Sequence, residues 1–245
     1  MSTLALAMWT PQAVRAESVA LRDIAYGGAA YQTFDLFYNE ARTNAPVIIL
    51  LHGRNGSKTD WQPFMGLFQD MGMVVVTPQY NTDRAPVDDM QTMYEWVAGN
   101  VAQYGGNPTK INLAGSSEGT YVGATLAYCR KLPVNSFLGL AGIYLSDIVI
   151  DDVREVPIAS VTAGDPPAFL CHGDADPKVG DESSIHFDEE LTANAIESHL
   201  YILPGVGHSD AKAAVFGDPD NQFIRDDLTK FLRRVNSDWW IRLQD

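Results

Sequence analysis

Positive charge is scarce in this chain: 17 lysines and arginines stand against 31 acidic residues, a formal net charge of −14 over 245 residues. That balance excludes the basic surface that phosphate backbones require, so nucleic acid is not an expected partner. It also disfavours docking on anionic membrane. Cysteine is scarcer still, with only Cys129 and Cys171. Two such residues build no disulfide framework and read as buried thiols, and no Cys/His spacing suits a zinc site. No apolar run reaches the roughly 18 residues of a membrane span. Internal repeats and low-complexity linkers are lacking too, which leaves no boundary at which to divide the chain.

What is present suits a globular fold. Hydrophobic residues make up 46% and charged residues 20%, enough apolar side chain for a sizeable core. Residues 17–245 therefore read as one domain. Residues 1–16 stand apart: Thr3–Trp9 is apolar, and Ala13-Val14-Arg15-Ala16 resembles the end of a secretory signal. They read as a signal-peptide remnant or a disordered arm. The first reading implies a secreted or periplasmic protein, the second a cytoplasmic one.

The most informative stretch is Gly115-Ser116-Ser117-Glu118-Gly119, a G-x-S-x-G pattern. Lys110–Ala114 before it reads as a buried strand, and Thr120–Tyr128 after it as a helix. A serine between glycines, on a sharp turn from strand to helix, is the form of a nucleophile elbow. The glycines let strand and helix approach closely. The helix start directs free N–H groups toward any oxyanion formed nearby.

Around the elbow, patterns of period 2 and 3.6 alternate. Val19–Tyr26 and Tyr31–Tyr38 predict a hairpin turned by Gly27-Gly28. Pro46–Leu51, Met73–Thr77 (stopped by Pro78), Ser136–Leu140, Pro167–Cys171 and His199–Leu203 predict further strands. Helices are expected over Lys58–Asp70, Pro86–Tyr104, Ser183–Ala195 and Gln222–Val235. In the second of these, Met90, Met93, Tyr94 and Val97 form a core-facing stripe. Strands alternating with amphipathic helices predict an α/β protein with a mainly parallel sheet, helices on both faces and an N-terminal antiparallel hairpin.

A serine hydroxyl needs a base, and the base needs an orienting carboxylate. Five histidines compete for the first role. His52 and His172 sit in His-Gly steps at strand ends, where imidazole braces a turn; His186 lies within a helix and His199 opens a strand. His208, in the glycine-rich loop Pro204–Ser209 after the last strand, is the favoured base. A histidine base predicts activity that falls in acid. Asp174 and Asp176 both follow the strand ending at Cys171. Asp176 is favoured as the acid because it lies deeper in the loop, with Pro177 fixing the backbone after it, which leaves Asp174 to cap the turn. The oxyanion donors expected are the main-chain N–H groups of Glu118, next to the serine, and Arg54, which Gly53 allows to turn inward.

Several runs together resemble the small, cap-less esterases of the α/β-hydrolase superfamily, grouped with feruloyl and acetyl esterases and with the lipase-like α/β-hydrolase-3 families. Tyr104-Gly105-Gly106-Asn107-Pro108-Thr109-Lys110-Ile111 is similar to the Y-G-G-D-P-x-R-I run that precedes their elbow. Asp165-Pro166-Pro167 leading to His172-Gly173-x-x-Asp176-x-x-Val179 is similar to their acid segment, and Pro204-Gly205-x-Gly207-His208 to their histidine loop. The resemblance runs from about Tyr31 to Val235. It implies Ser117, Asp176 and His208 as nucleophile, acid and base.

Two departures stand out. Glu118 replaces the alanine usual after the nucleophile, and His52-Gly53-Arg54-Asn55-Gly56 replaces an H-G-G-G loop. An Arg54–Glu118 ion pair flanking the site is the expected resolution; the alternative is a Glu118 that faces solvent or meets a cationic substrate group.

The reading is a serine carboxylic-ester hydrolase for short-chain or exposed esters of acetyl or feruloyl type, needing no metal or organic cofactor. Its expected partner is a small-molecule ester, and its oligomeric state is unreadable. Only 59 residues separate Ser117 from Asp176, so residues 146–162 allow a short excursion over the site but no large cap. Gly53, Trp61, Tyr80 and Tyr144 are candidate pocket residues, with Phe64 beside them. The alternatives are a prolyl-oligopeptidase-like peptidase, disfavoured because no propeller repeat precedes the domain, and a non-catalytic hydrolase-fold binding protein.

Overall fold

A computed structural model describes residues 18–145, 148–150, 153–237 and 239; the signal-like residues 1–16 lie outside that set. An eight-stranded sheet runs through the molecule. β1 (Ser18–Ala25) and β2 (Thr33–Asn39) form the N-terminal hairpin, and β2 is also antiparallel to β4 (Val74–Gln79). From β4 onward the pairing is parallel, through β3 (Ala45–Leu51), β5 (Gly106–Ser116), β6 (Ser136–Leu140), β9 (Ala168–Gly173) and β10 (Ser198–Leu203).

The central strands are buried on both sides, which is why their sequences are continuously apolar rather than alternating. In β3, Val47, Ile49 and Leu51 face one core layer while Ile48 and Leu50 face the other. The first layer is closed by α2 (Pro86–Asn100), α3 (Glu118–Ala124) and α4 (Glu182–Ala193), through side chains such as Met90, Met93, Tyr121 and Phe187. The second is closed by α1 (Gly66–Asp70), α5 (Ala211–Phe216) and α6 (Gln222–Val235), through Phe68, Val215, Leu228 and Phe231. Each such side chain contributes roughly 1.5–3 kcal/mol of transfer free energy when fully buried. The two layers hold the parallel strands in register, so that the loops at their carboxyl ends gather on one edge.

Two expected elements differ. The helix expected over Lys58–Asp70 is a short 3-10 turn, Gln62–Phe64, followed by the five-residue α1. Ser57 Oγ donates to Asp60 Oδ1 at 3.0 Å, and the Trp61 indole turns inward to donate to the Leu51 carbonyl at 2.9 Å. These local bonds compete with helix formation, and Pro63 then withholds a backbone donor. β4 does not stop at Pro78 but continues to Gln79, with Pro78 opposite Phe34 of β2. Pairing with β3 has ended at Val76, so that side of the strand is free and tolerates a residue without an N–H.

Between β6 and β9 the described residues form a small hairpin, β7 (Ile148–Ile150) with β8 (Val153–Glu155), and a 3-10 turn at Ile158–Ser160. Arg130 ties it down, its Nε donating to Glu155 Oε1 at 3.0 Å while Nη1 pairs with Asp88 of α2 at 2.6 Å. Among the described residues no helix is long and apolar enough to cross a membrane.

Candidate active site

β5 ends at Ser116 and α3 begins at Glu118, so Ser117 is the single residue that turns the chain between them. Its φ of 56° and ψ of −127° lie where non-glycine residues are strained. Neighbouring packing holds that conformation. The Ser117 N–H donates to the Leu140 carbonyl of β6 at 3.0 Å, and the Thr120 N–H donates back to the Ser117 carbonyl at 2.9 Å. A Cβ on Gly115 would collide with the Gly119 backbone, and one on Gly119 with the Leu51 and His52 carbonyls. Strand and helix thus meet closer than any side chain permits, and Ser117 Oγ is thrown clear of the sheet.

His208 follows β10 and Asp176 follows β9, adjacent parallel strands ending on the same edge. His208 Nε2 stands 2.8 Å from Ser117 Oγ, and its Nδ1 stands 2.6 Å from Asp176 Oδ2. Three residues separated by up to 91 positions therefore form one continuous hydrogen-bonded relay. Asp174 helps to align it by accepting from the Gly205 N–H at 2.6 Å, which stitches the acid loop to the histidine loop.

The Asp176 side chain is fully buried. Burial alone would raise its carboxyl pKa, but the Val179 and Lys178 N–H groups, at 3.0 and 2.8 Å from Oδ1, together with His208 hold it below the ordinary carboxylate value. It is therefore ionised wherever an imidazole is neutral, which keeps the His208 proton on Nδ1 and leaves Nε2 free to accept from serine.

A second imidazole meets the same carboxylate. His172, fully buried in β9, has Nε2 3.2 Å from Asp176 Oδ2 and 3.0 Å from the Val179 carbonyl, and Nδ1 2.7 Å from Ser184 Oγ. His172 braces the turn after β9, as its His-Gly step implies, and its partners there are Asp176 and the Val179 carbonyl. The i, i+4 spacing of His172 and Asp176 was the available signal, and only the loop's curvature turns it into contact.

The loop after β3 lies against Ser117. A Cβ on Gly53 would meet Ser116 O and Ser117 Cβ at 3.2 Å. The Gly53 carbonyl accepts from the Gly56 N–H at 3.0 Å, and His52 Nδ1 stands 2.8 Å from it. Because a trans peptide points its C=O and N–H in opposite directions, pinning that carbonyl turns the Arg54 N–H the other way. His52 is itself fixed by stacking on Tyr80 at 4.0 Å, and the Tyr80 hydroxyl donates to the His52 carbonyl. Burial holds His52 below the ordinary histidine pKa.

The expected Arg54–Glu118 pair is present: Arg54 Nε donates to Glu118 Oε2 at 2.7 Å. Glu118 is buried rather than solvent-facing, and burial raises its carboxyl pKa despite the opposing pull of Arg54.

The aromatic candidates fall elsewhere. Trp61 is buried with its indole committed to Leu51, Tyr80 is buried behind His52, and Tyr144 is buried and stacked on Phe187 at 4.2 Å. The structure assigns these rings to the core, because each is large enough to fill the space between sheet and helices; Phe64 is only partly buried, against the second core layer. An open cleft of about 380 Å³ instead adjoins the acid loop, lined by Ile143, Leu145, Val179, Gly180 and Ser183 with Lys178 and Glu182. The remaining histidines are remote from the relay: His186 is exposed on α4, and His199 pairs with Asp227 and Glu197.

A strained serine at a strand–helix turn, backed by histidine and aspartate from later loops of a mainly parallel sheet, defines the α/β-hydrolase class. Known proteins agree. The BD-FAE family matches residues 34–139. Esterase LipQ of Mycobacterium tuberculosis is 25% identical over 216 residues, covering 69% of this chain and 51% of that protein. A carbohydrate esterase from gut microbiota superimposes with a TM-score of 0.73 at 16% identity, over 92% of this chain and 99% of that one. Thermogutta terrifontis esterase 2 superimposes with a TM-score of 0.72 at 21% identity when phosphorylated by paraoxon, over 92% and 96% of the two chains. The chain spans about half the length of the curated relatives it matches. The chain has the α/β-hydrolase fold, and its stretch 34–139 is similar to carboxylesterase-like proteins.

Proposed function

We propose that the protein is a serine carboxylic-ester hydrolase working through an acyl-enzyme, with Ser117 as nucleophile, His208 as base and Asp176 as acid. The observation that carries this reading is the relay from Ser117 Oγ through His208 to Asp176, at 2.8 and 2.6 Å. His208 Nε2 takes the serine proton as Oγ attacks the ester carbonyl carbon. The resulting oxyanion is held by the Arg54 and Glu118 main-chain N–H groups, which take no acceptor among the described residues. Collapse of the tetrahedral intermediate breaks the bond to the alkoxy oxygen, and His208 returns the proton to that leaving group. Water, deprotonated in turn by His208, then attacks the acyl-serine and frees the acid. Throughout, Asp176 stabilises the imidazolium without itself becoming protonated.

Short-chain or exposed esters, acetyl or feruloyl in type, are the substrates proposed. The small β7–β8 hairpin in place of a large cap, together with the open cleft beside Val179, supports this choice. The esterase similar in fold that is phosphorylated by paraoxon suggests the test. A fluorophosphonate probe should label Ser117 and leave Ser117→Ala unlabelled, and p-nitrophenyl acetate should be hydrolysed while a panel of prolyl peptides is not. Absence of labelling would overturn the catalytic reading, and cleavage of the peptides alone would favour a peptidase.

A further inference from the structure

Arg54 carries more donors than its partner uses. A guanidinium offers five N–H groups, and Arg54 commits only Nε, to Glu118 Oε2. No described residue accepts from its Nη1 or Nη2, and the side chain is 58% exposed. Arg130 shows the contrast, since its Nε, Nη1 and Nη2 are all taken by Glu155, Asp88 and Gln91.

The anchor is unusual in turn. Glu118 is 1% exposed, directly follows the nucleophile, and leaves its Oε1 without a partner. A buried carboxylate beside a developing oxyanion is electrostatically unfavourable, and packing alone would be served by a small apolar residue. What the carboxylate adds is orientation: it grips the guanidinium at Nε and leaves the Nη1/Nη2 edge turned to solvent. Arg54 follows β3 and Glu118 follows β5, which are neighbouring strands. The gripped side chain therefore stands on the opposite side of Ser117 from the loops after β9 and β10. Asp83, on the loop after β4, is the other charge acting on Glu118. It forms no ion pair with Arg54, so the open edge is not already occupied.

We infer that Arg54 is a specificity-determining residue, whose Nη1/Nη2 edge binds a carboxylate carried by the ester substrate. A planar fork of this kind matches a carboxylate bidentately. The inference rests on the esterase reading and narrows its substrates to esters bearing an anionic group, on either the acyl or the alcohol side.

Two matched pairs test it and separate the two sides. For the acyl side, mono-p-nitrophenyl glutarate is compared with its primary amide; for the alcohol side, p-acetoxybenzoate is compared with p-acetoxybenzamide. In at least one pair the wild-type enzyme should favour the carboxylate about tenfold in kcat/KM, equivalent to about 1.4 kcal/mol. The preference should shrink with added salt, be lost in Arg54→Ala and partly survive in Arg54→Lys. Using the ratio within each variant removes any general loss of rate, and the salt titration needs no variant. Equal turnover within both pairs, or an undiminished preference in Arg54→Ala, overturns the inference. So does hydrolysis of p-nitrophenyl acetate with none of the four turned over. Failure on every ester, with no fluorophosphonate labelling, overturns the esterase reading and the inference with it.

Discussion

His172 and Asp176, four residues apart, bring a buried imidazole and a buried carboxylate to 3.2 Å of one another, and that same carboxylate oxygen holds His208 at 2.6 Å. The Asp176 carboxylate is thus positioned by a histidine whose own hydrogen-bond partners are Asp176, Val179 and Ser184, not Ser117. His172→Phe keeps an aromatic ring in the space but removes both nitrogen contacts. It should lower kcat about tenfold to a hundredfold, as expected when a reacting group is displaced by about an ångström, with a much smaller change in KM. Steady-state kinetics on p-nitrophenyl acetate checks this; an unchanged kcat would assign His172 a packing role alone.

Asp176→Asn should be more severe. The amide offers no charge to stabilise an imidazolium and can donate to His208 Nδ1, forcing the wrong tautomer. A loss of roughly 10⁴ in kcat is expected from the behaviour of such relays. Fluorophosphonate labelling of Ser117 should slow in parallel.

Gly119→Ala should unfold the elbow rather than tune it. Its new methyl meets the Leu51 and His52 carbonyls, which are backbone and cannot swing aside. Overpacking of this kind costs about 1–3 kcal/mol or more. A lowered midpoint of urea denaturation together with lost activity is the expected result, whereas Gly28→Ala, with open space around it, should leave both unchanged.

Asp35 should govern part of the acid stability. It is buried in β2 and accepts from Lys58 and Arg22 at 2.6 Å each. Burial would raise its pKa, but those two cations hold it below the ordinary carboxylate value. A depressed folded-state pKa stabilises the protein above the unfolded value and is lost as pH falls through the folded one. Asp35→Asn should therefore destabilise by about 2 kcal/mol at neutral pH, the scale of a hydrogen bond to a charged group, with the difference from wild type closing in acid. Thermal melts from neutral pH downward measure it.

Glu118 has the opposite sign. Burial raises its folded-state pKa, so its favourable contribution is present below the unfolded carboxylate value and is lost as pH rises through the folded one. Glu118→Gln should consequently gain stability relative to wild type as pH rises, while loosening the grip on Arg54. Melts at acid and neutral pH decide between this and a uniformly destabilising substitution.

Much of this architecture is legible in one dimension because short-range rules dominate it. The runs Pro46–Leu51 and Ser136–Leu140 are too continuously apolar for any strand that is not covered on both faces, and the stripe Met90, Met93, Tyr94, Val97 has only one helical face. Ser117 is recognisable because glycines flank it where a strand pattern changes to a helical one. The stretch Lys58–Asp70 misleads for an equally physical reason: its propensities permit a helix, but Trp61 gains more by turning its indole inward to Leu51. Trp61, Tyr80 and Tyr144 mislead too, since an aromatic near a motif is compatible with pocket or core, and only the packing distinguishes them.

The amino-acid sequence by itself determines the strand–helix alternation and the serine between glycines at a strand–helix turn, because each depends on residues close together along the chain, and it sets the order in which Ser117, Asp176 and His208 arrive. The tertiary structure alone decides that Arg54 grips a buried Glu118, that His172 steadies Asp176, and that the aromatic candidates belong to the core. Apart from the His172–Asp176 contact, which the curvature of a single loop makes, those are contacts between side chains carried on different strands. Their distances are set by the twist and register of the whole sheet, which no local window of residues contains.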